Sequence, residues 1–253
     1  MRVPAKVNLQ LSVGPKEADG FHNLVSVFQA ISIFDDVTVT KTKPGSGVTI
    51  VVSGEHTHGV PEDHSNLAVK AAQLIGEKFE FDTDVHIEIK KSIPVAGGMA
   101  GGSADAAGTL VALDALFETA LRKDELLKLA AKLGSDVPFS LMGGTAIGSG
   151  RGDQLTPALC RGTFHWVLAF SSQGLSTPAV YAESDRLRQS LDIRKPRVSE
   201  ELMHALSGGD AIGLGKALVN DLQPAAISLR PALKMAIGAG IECKAIGAIV
   251  SGS

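Results

Sequence analysis

Aromatic side chains are scarce in this chain: nine Phe, one Tyr and one Trp among 253 residues. Few flat faces are available to a ring-bearing ligand, so any that fall in a motif carry weight. Cysteine is scarcer still. Cys160 and Cys243 lack metal-ligand spacing and are expected as reduced, inert thiols. Charge of one sign is also missing: the formal net charge of −3 argues against a broad nucleic-acid surface, and no nucleic-acid partner is expected. No apolar run approaches the length of a membrane span, and the N-terminus enters a strand pattern at once. A cytoplasmic protein without a membrane partner is the expectation.

What is present is the make-up of a globular α/β protein, with 44% hydrophobic and 20% charged residues. The length suits two modest domains with real cores. Strand-like runs fall near Val25–Ile33, Val37–Lys41, Val48–Val52, Val85–Ile93 and Thr145–Ile147. Helical spacing runs from Asn66 to about Phe79, capped by Asn66 or Ser65, over Leu110 to Phe117, and over Asp124–Leu133. Phe164–Phe170 reads as an apolar strand, and Thr177-Pro178 as a helix cap followed by Pro at the first helical position. Composition shifts between Pro157 and Gly162, which sets domains of residues 1–158 and 159–253.

The most informative stretch joins the strand Val85–Ile93 to the helix after it. It runs Pro94, Val95, Ala96, Gly97, Gly98, Met99, Ala100, Gly101, Gly102, Ser103, Ala104, Asp105. Four glycines permit positive φ and close approach of backbone to a ligand. Ser103 and Asp105 are good helix-start residues, which would leave free N–H groups pointing into the loop, as in a phosphate cradle. The stretch is neither a Walker A motif nor a dinucleotide fingerprint. Taken alone it reads equally well as a glycine-rich connector without a ligand.

Two further features bear on that choice. Lys6 lies in the alternating run Val3, Val7, Leu9, Leu11, which makes it one cation on a strand. Asp136 follows a helix marked by Leu126, Leu127, Leu129, Ala130 and Leu133 and closed by Gly134. Phosphoryl transfer needs a phosphate cradle, a cation for developing charge and a carboxylate facing the attacking hydroxyl. All three types occur here. Lys6 also reads as a snorkelling surface lysine, and Asp136 as the N-cap of a helix over Val137 to Met142.

Together, Pro4-Ala5-Lys6-Val7-Asn8-Leu9, Asp19-Gly20-Phe21-His22, the glycine loop and Gly134-Ser135-Asp136-Val137-Pro138-Phe139 resemble the GHMP kinases, in the right order along the chain. The resemblance implies an N-terminal domain like the second domain of ribosomal protein S5 and a ferredoxin-like C-terminal domain. It implies transfer of the ATP γ-phosphoryl group, with Lys6 and Asp136 catalytic, the loop from Pro94 to Ala104 holding ATP, and Mg²⁺ bridging its phosphates. The Asp-Gly-aromatic-His motif points to the branch acting on the 2-hydroxyl of a cytidine-diphospho-methylerythritol, in the non-mevalonate isoprenoid pathway. The partner implied is therefore a small-molecule cytidine diphosphate derivative, with the chain a monomer or homodimer. Asn8 and His22 are then expected at the substrate, and Phe21 and Tyr181 around the cytosine ring. Without the resemblance, His22 reads as a solvated loop residue and Tyr181 as a core-edge residue. Asn66, Leu67 and Lys91 are candidates for the adenine pocket.

Several positions depart from the family pattern. Ala96 and Ala100 stand where glycine is frequent, Met99 where leucine is usual, and Phe21 where tyrosine is usual. Ala104 replaces a frequent second serine and leaves Ser103 as the candidate Mg²⁺ ligand. Ile249-Val250-Ser251-Gly252-Ser253 looks like the start of the family's third motif, so the chain is expected to be a fragment with an incomplete C-terminal domain. Alternatives are a mevalonate- or homoserine-type kinase of the same family, or a non-catalytic member of the fold that binds a nucleotide or RNA.

Overall fold

The computed structural model describes residues 1–95, 97–171 and 174–252. Two compact units emerge, and no single cut in the chain separates them. One gathers Met1–Lys6, Ala30–Val95 and Met99–Gly143; the other gathers Val7–Gln29, Gly97 and Gly98, and the chain from Gly144 onward. Two long strands, β1 (Arg2–Lys16) and β2 (His22–Lys41), contribute to both.

In the first unit, β3 (Val48–Gly54) and β4 (Val85–Lys91) extend the sheet in the order β3-β4-β2-β1. β3 runs parallel to β4 from Val48↔Val85 to Gly54↔Lys91, and β4 runs antiparallel to β2 from Asp36↔Lys90 to Lys41↔Val85. The helices are α1 (Leu67–Phe79), α2 (Gly101–Phe117), α3 (Lys123–Leu133) and α4 (Val137–Met142). Asn66 starts α1, its Oδ1 accepting the Ala68 N–H at 2.8 Å. Ala68, Val69, Ala71, Ala72 and Ile75 bury one face of that helix, as a 3.6-residue period dictates. α2 is buried over most of its first three turns, and small residues make that possible.

Gly108 shows why. A Cβ there would lie 2.7 Å from Val3 Cγ2 and 3.1 Å from Val37 Cγ2, so α2 rests against β1 and β2 through a bare backbone. Gly→Ala inside a helix ordinarily gains about 1 kcal/mol in propensity. Here overpacking reverses the sign, and Gly108→Ala is expected to lose about 1–3 kcal/mol, read from the denaturant midpoint. A raised midpoint would mean that the two valines yield.

In the second unit, β5 (Thr145–Ser149) pairs antiparallel with β2 over Ser26–Gln29 and with β6 (Gln154–Pro157). The two-residue β7 (Val219–Asn220) lies parallel to β1 at Gln10 and Leu11. Its helices are α5 (Thr177–Arg188), α6 (Glu200–Gly208), α7 (Ala211–Ala217), α8 (Gln223–Leu229) and α9 (Ala232–Glu242). Leu11 and Val13 of β1, Val180 of α5, and Leu222, Ala225 and Ala226 at α8 form a buried apolar cluster.

Three expectations need correction. The two strands expected over Val25–Ile33 and Val37–Lys41 are parts of β2, because Asp35 is buried and paired instead of marking a turn. Phe164–Phe170 is not a strand: among the described residues no ladder pairs with it, although the Trp166 indole N–H donates to Gln29 Oε1 at 3.0 Å. The helix after it starts at Thr177 with Ser176 as cap, one residue earlier than expected. Cys160 and Cys243 are both free thiols. No described helix is long and apolar enough to cross a membrane.

Candidate functional site

β1 alternates with period two. Ala5, Val7, Leu9 and Leu11 face one way; Lys6, Asn8 and Gln10 face the other, yet all seven are buried. The buried polar face is an unusual feature of this strand, since polar groups enter a core only with partners. Asn8 Nδ2 donates to Ser26 Oγ at 2.7 Å, and its backbone N–H to Ser251 Oγ at 3.0 Å. Gln10 Nε2 donates to Arg197 O at 2.7 Å, while its Oε1 accepts the Ser199 N–H at 3.0 Å.

Lys6 is 5% exposed, and its Nζ lies 3.8 Å from Asp136 Oδ2. Burial pushes the ammonium below the usual lysine range, opposed by the charge of Asp136 and its hydrogen bond. Lys6 is therefore not a snorkelling surface lysine. Asp136 occupies the N-cap position of α4, and its carbonyl accepts the Ser140 N–H at 3.1 Å, but its side chain caps nothing. A capping carboxylate would point at the helix N–H groups. This one points to Lys6 and stays 35% exposed, open to solvent on one side.

The glycine loop is anchored at Met99, which is buried and whose carbonyl accepts the Lys6 N–H at 3.2 Å. Pro94 is buried and Val95 exposed; Ala96 lies outside the described residues. Gly98 takes φ +66°, and a Cβ on it would sit 2.6 Å from Ser251 O. Ser251 and Gly252 are held in turn, since Asn220 Nδ2 donates to the carbonyls of Val250 and Gly252, each at 2.8 Å. Ser253 lies outside the described residues.

Ser103 and Asp105 do not start the helix. α2 opens at Gly101 behind Ala100, which has φ +59° and no capping side chain. The first bonded N–H is that of Ala104, to Ala100 O at 2.8 Å, so Gly101, Gly102 and Ser103 form the turn whose N–H groups lack helical partners. Ser103 stands third in the helix and half-buried, next to the exposed Gly102. An L-residue held left-handed is strained by ~1–2 kcal/mol. Ala100→Gly is therefore expected to raise stability by roughly 0.5–1 kcal/mol in chemical denaturation, after the extra chain entropy of glycine; a fall would contradict the strain.

Beneath this turn lies a buried charge triad. Lys91 Nζ, at the end of β4, donates to Asp35 Oδ2 of β2 and to Asp105 Oδ2 of α2, the latter at 2.8 Å. Asp35 Oδ1 also accepts the N–H groups of Ser92 and Ile93, at 2.6 and 2.9 Å. Asp105 Oδ1 has no partner among the described residues. Burial pushes the Asp105 carboxyl up to about 7, against the pull of Lys91. The Lys91 side chain is thus engaged inside the fold, as is that of Asn66, whose Nδ2 donates to Pro61 O at 2.7 Å. Leu67 opens α1 beside it and is half-buried.

Phe21, His22 and Tyr181 fall in the second unit. Phe21 is exposed, and the Arg151 guanidinium lies 3.7 Å from its ring centroid. Arg151 is itself held by Asp19 Oδ2 at 3.1 Å. His22 is buried rather than solvated: its ring lies 5.2 Å from that of Tyr181 at 35°, and its Nε2 lies 2.8 Å from Asp185 Oδ1. Arg151 and Asp185 escape a sequence reading. Arg151 sits in a glycine-rich turn, and the only signal for Asp185 is its place one helical turn after Tyr181.

Comparison with known proteins shows the family of the chain. Residues 66–144 match the GHMP kinases N terminal domain. A crystal structure of L. major mevalonate kinase aligns with a TM-score of 0.73 at 16% identity, covering 99% of this chain and 82% of that one, which shows the shared fold. The class is therefore that of the GHMP kinases. Finer similarity lies with one branch. A Thermobifida fusca protein named 4-diphosphocytidyl-2-C-methyl-D-erythritol kinase is 54% identical over all of this chain and 83% of its own length. A Streptomyces coelicolor protein of the same name is 51% identical, over all of this chain and 84% of its own. A crystal structure of 4-(cytidine 5'-diphospho)-2C-methyl-D-erythritol kinase aligns with a TM-score of 0.72 at 32% identity, covering 94% of this chain and 81% of that one. The chain belongs to the 4-diphosphocytidyl-2-C-methyl-D-erythritol kinase family.

Proposed function

We propose that this chain transfers the γ-phosphoryl group of ATP to the 2-hydroxyl of 4-diphosphocytidyl-2-C-methyl-D-erythritol, a step of isoprenoid biosynthesis, with Lys6 and Asp136 at the reacting oxygen. The observation that carries the reading is a buried ammonium 3.8 Å from a half-open carboxylate that its own helix does not use. A substrate hydroxyl between the two would donate to Asp136 and accept from Lys6. Asp136 takes the proton as the oxygen attacks, and Lys6 offsets the negative charge gathering on the transferring group. Both residues lie in the first unit, where Met99 ties the glycine loop to the backbone of Lys6.

The phosphates of ATP are assigned to Pro94–Ala104, with the N–H groups of Gly101, Gly102 and Ser103 as donors to the anionic oxygens. Among the described residues no cluster of three or more His, Cys, Asp or Glu side chains is arranged for a metal. Mg²⁺ needs no such cage, because it arrives on phosphates and keeps several waters. The hydroxyl of Ser103, half-buried in the first turn of α2, would be the candidate protein ligand. Mg²⁺ there would neutralise phosphate charge. Cytosine is assigned to Phe21, His22 and Tyr181, and Asn8 to the substrate. The same proposal gives residues 1–158 the ATP-binding and catalytic work and 159–253 a supporting domain.

Rates with ATP and Mg²⁺ test this directly. The cytidine substrate is expected to be phosphorylated faster than mevalonate or homoserine; the reverse order would contradict the assignment.

A further inference from the structure

Gly98 and Gly252 meet backbone to backbone. Both are left-handed, with φ +66° and +87°. A Cβ on Gly98 would sit 2.6 Å from Ser251 O, and one on Gly252 would sit 3.5 Å from Gly98 Cα. Glycine has the most backbone freedom to lose, so a contact of this kind persists only if one side of it is held from behind.

Two side-chain amides from one short segment do the holding. Asn220 of β7 is 7% exposed and straddles Ser251: its Nδ2 donates to the carbonyls of Val250 and Gly252, each at 2.8 Å. Its Oδ1 accepts the Leu222 N–H at 2.9 Å. Only one orientation of the amide satisfies all three bonds, because a flipped amide would set its oxygen against two carbonyl oxygens. Gln223, which opens α8, accepts the Val250 N–H on Oε1 at 2.8 Å. Between the two, Asp221 fastens the segment to β1: its N–H donates to Leu11 O at 2.8 Å, and its Oδ2 accepts the Val13 N–H at 2.9 Å. All of these groups, Gly98 included, belong to the second unit.

We propose that Asn220 is a positioning residue for the phosphate loop: its amide, with that of Gln223, fixes residues 250–252 against Gly98 and so holds the loop in the conformation that receives ATP. The inference rests on the reading of the loop from Pro94 to Ala104 as the phosphate site. A loop ordered before its ligand arrives loses less entropy on binding, so the bracket acts on ATP affinity through Gly98 without Asn220 touching either ligand.

Asn220→Asp in the full chain is the test. The carboxylate has the same shape and keeps the Leu222 bond, but it turns the donor facing two carbonyls into an acceptor. KM for ATP is expected to rise by roughly tenfold or more, while KM for the cytidine substrate stays at the parental value. Ser199→Ala removes the cap of α6 in the same unit and should lower the melting temperature with both KM values unchanged. Hydrogen exchange in the parent needs no variant to fold. Coupling between two sites is reciprocal, so ATP should slow exchange of the Val250 N–H more than that of the Arg161 N–H, which bonds to Leu206 O in the same unit. An Asn220→Asp protein that raises both KM values in proportion, or neither, overturns the role of Asn220 while leaving the phosphate loop intact. Equal slowing of the two amides overturns it too, as does a rise of KM for ATP in Ser199→Ala equal to that in Asn220→Asp. A parent in which ATP leaves the amide resonances of Gly98, Gly101, Gly102 and Ser103 unmoved overturns the phosphate-site reading, and this inference with it.

Discussion

Asp136→Asn is expected to lower kcat by ~10²–10⁴-fold while the protein folds and binds ATP as before, because the amide cannot take the hydroxyl proton. The expectation of an intact fold follows from the site. The Asp136 side chain caps no helix and is 35% exposed, so the loss falls on its pairing with the Lys6 ammonium, for which the amide oxygen of asparagine remains an acceptor. Lys6→Met should lower kcat by a similar order, through loss of the cation that offsets developing charge. Its effect on stability should run the other way. Burial holds the Lys6 ammonium below its ordinary value of 10.5, so over the range between the two values the unfolded chain binds a proton that the folded chain has lost. Stability from this group therefore rises with pH across that range, and the charged form is the disfavoured one in the fold. A methionine there should match or exceed the parental melting temperature at neutral pH. Parental turnover in Asp136→Asn would remove that residue from the mechanism.

Lys91→Met is expected to destabilise the first unit by about 3–5 kcal/mol, the usual cost of stranding a buried partner charge. Two carboxyl groups, Asp35 and Asp105, share this one ammonium, and none of the three is more than 2% exposed. Their positions are not equivalent. Asp35 is satisfied by Lys91 and by two backbone N–H groups, whereas Asp105 Oδ1 has no partner among the described residues. Asp105 is accordingly the carboxyl that burial pushes up to about 7. The folded chain then holds a proton at pH values where the unfolded chain, with its carboxyl at the ordinary 3.8, has released it. Stability from this group falls as pH rises from about 4 to about 7. Asp105→Asn should remove that slope and cost little at neutral pH, since the amide keeps the shape without the charge. Urea denaturation of both variants from pH 4 to 8 checks the pair of expectations; a severe loss in Asp105→Asn would mean that its charge is needed.

Much of the site was legible because its chemistry follows regular periods. Alternation in β1 set Lys6 among buried apolar neighbours, and the helix stop at Gly134 set Asp136 on a short connection. Less legible were features that depend on partners distant in sequence. Asp35-Asp36 looks like a break between strands until Lys91, 56 residues away, is seen neutralising the first of them. Ser103 and Asp105 have the composition of caps, yet the helix starts earlier because Ala100 accepts a left-handed backbone that composition does not reveal. Asp185 carries no local signature, being one acidic residue on an amphipathic helix 163 positions from the histidine it binds. Phe164–Phe170 has the residues of a strand, but strand identity depends on a neighbour, which sequence pattern does not supply.

Phosphorus NMR of the full chain with ATP, Mg²⁺ and 4-diphosphocytidyl-2-C-methyl-D-erythritol tests the central claim most directly. The parent should convert ATP to ADP in step with a new phosphomonoester on the substrate's 2-hydroxyl, and Asp136→Asn should form it at no more than ~1% of that rate. Product forming at the parental rate in Asp136→Asn, or ATP cleaved by the parent without any phosphomonoester appearing, would contradict it.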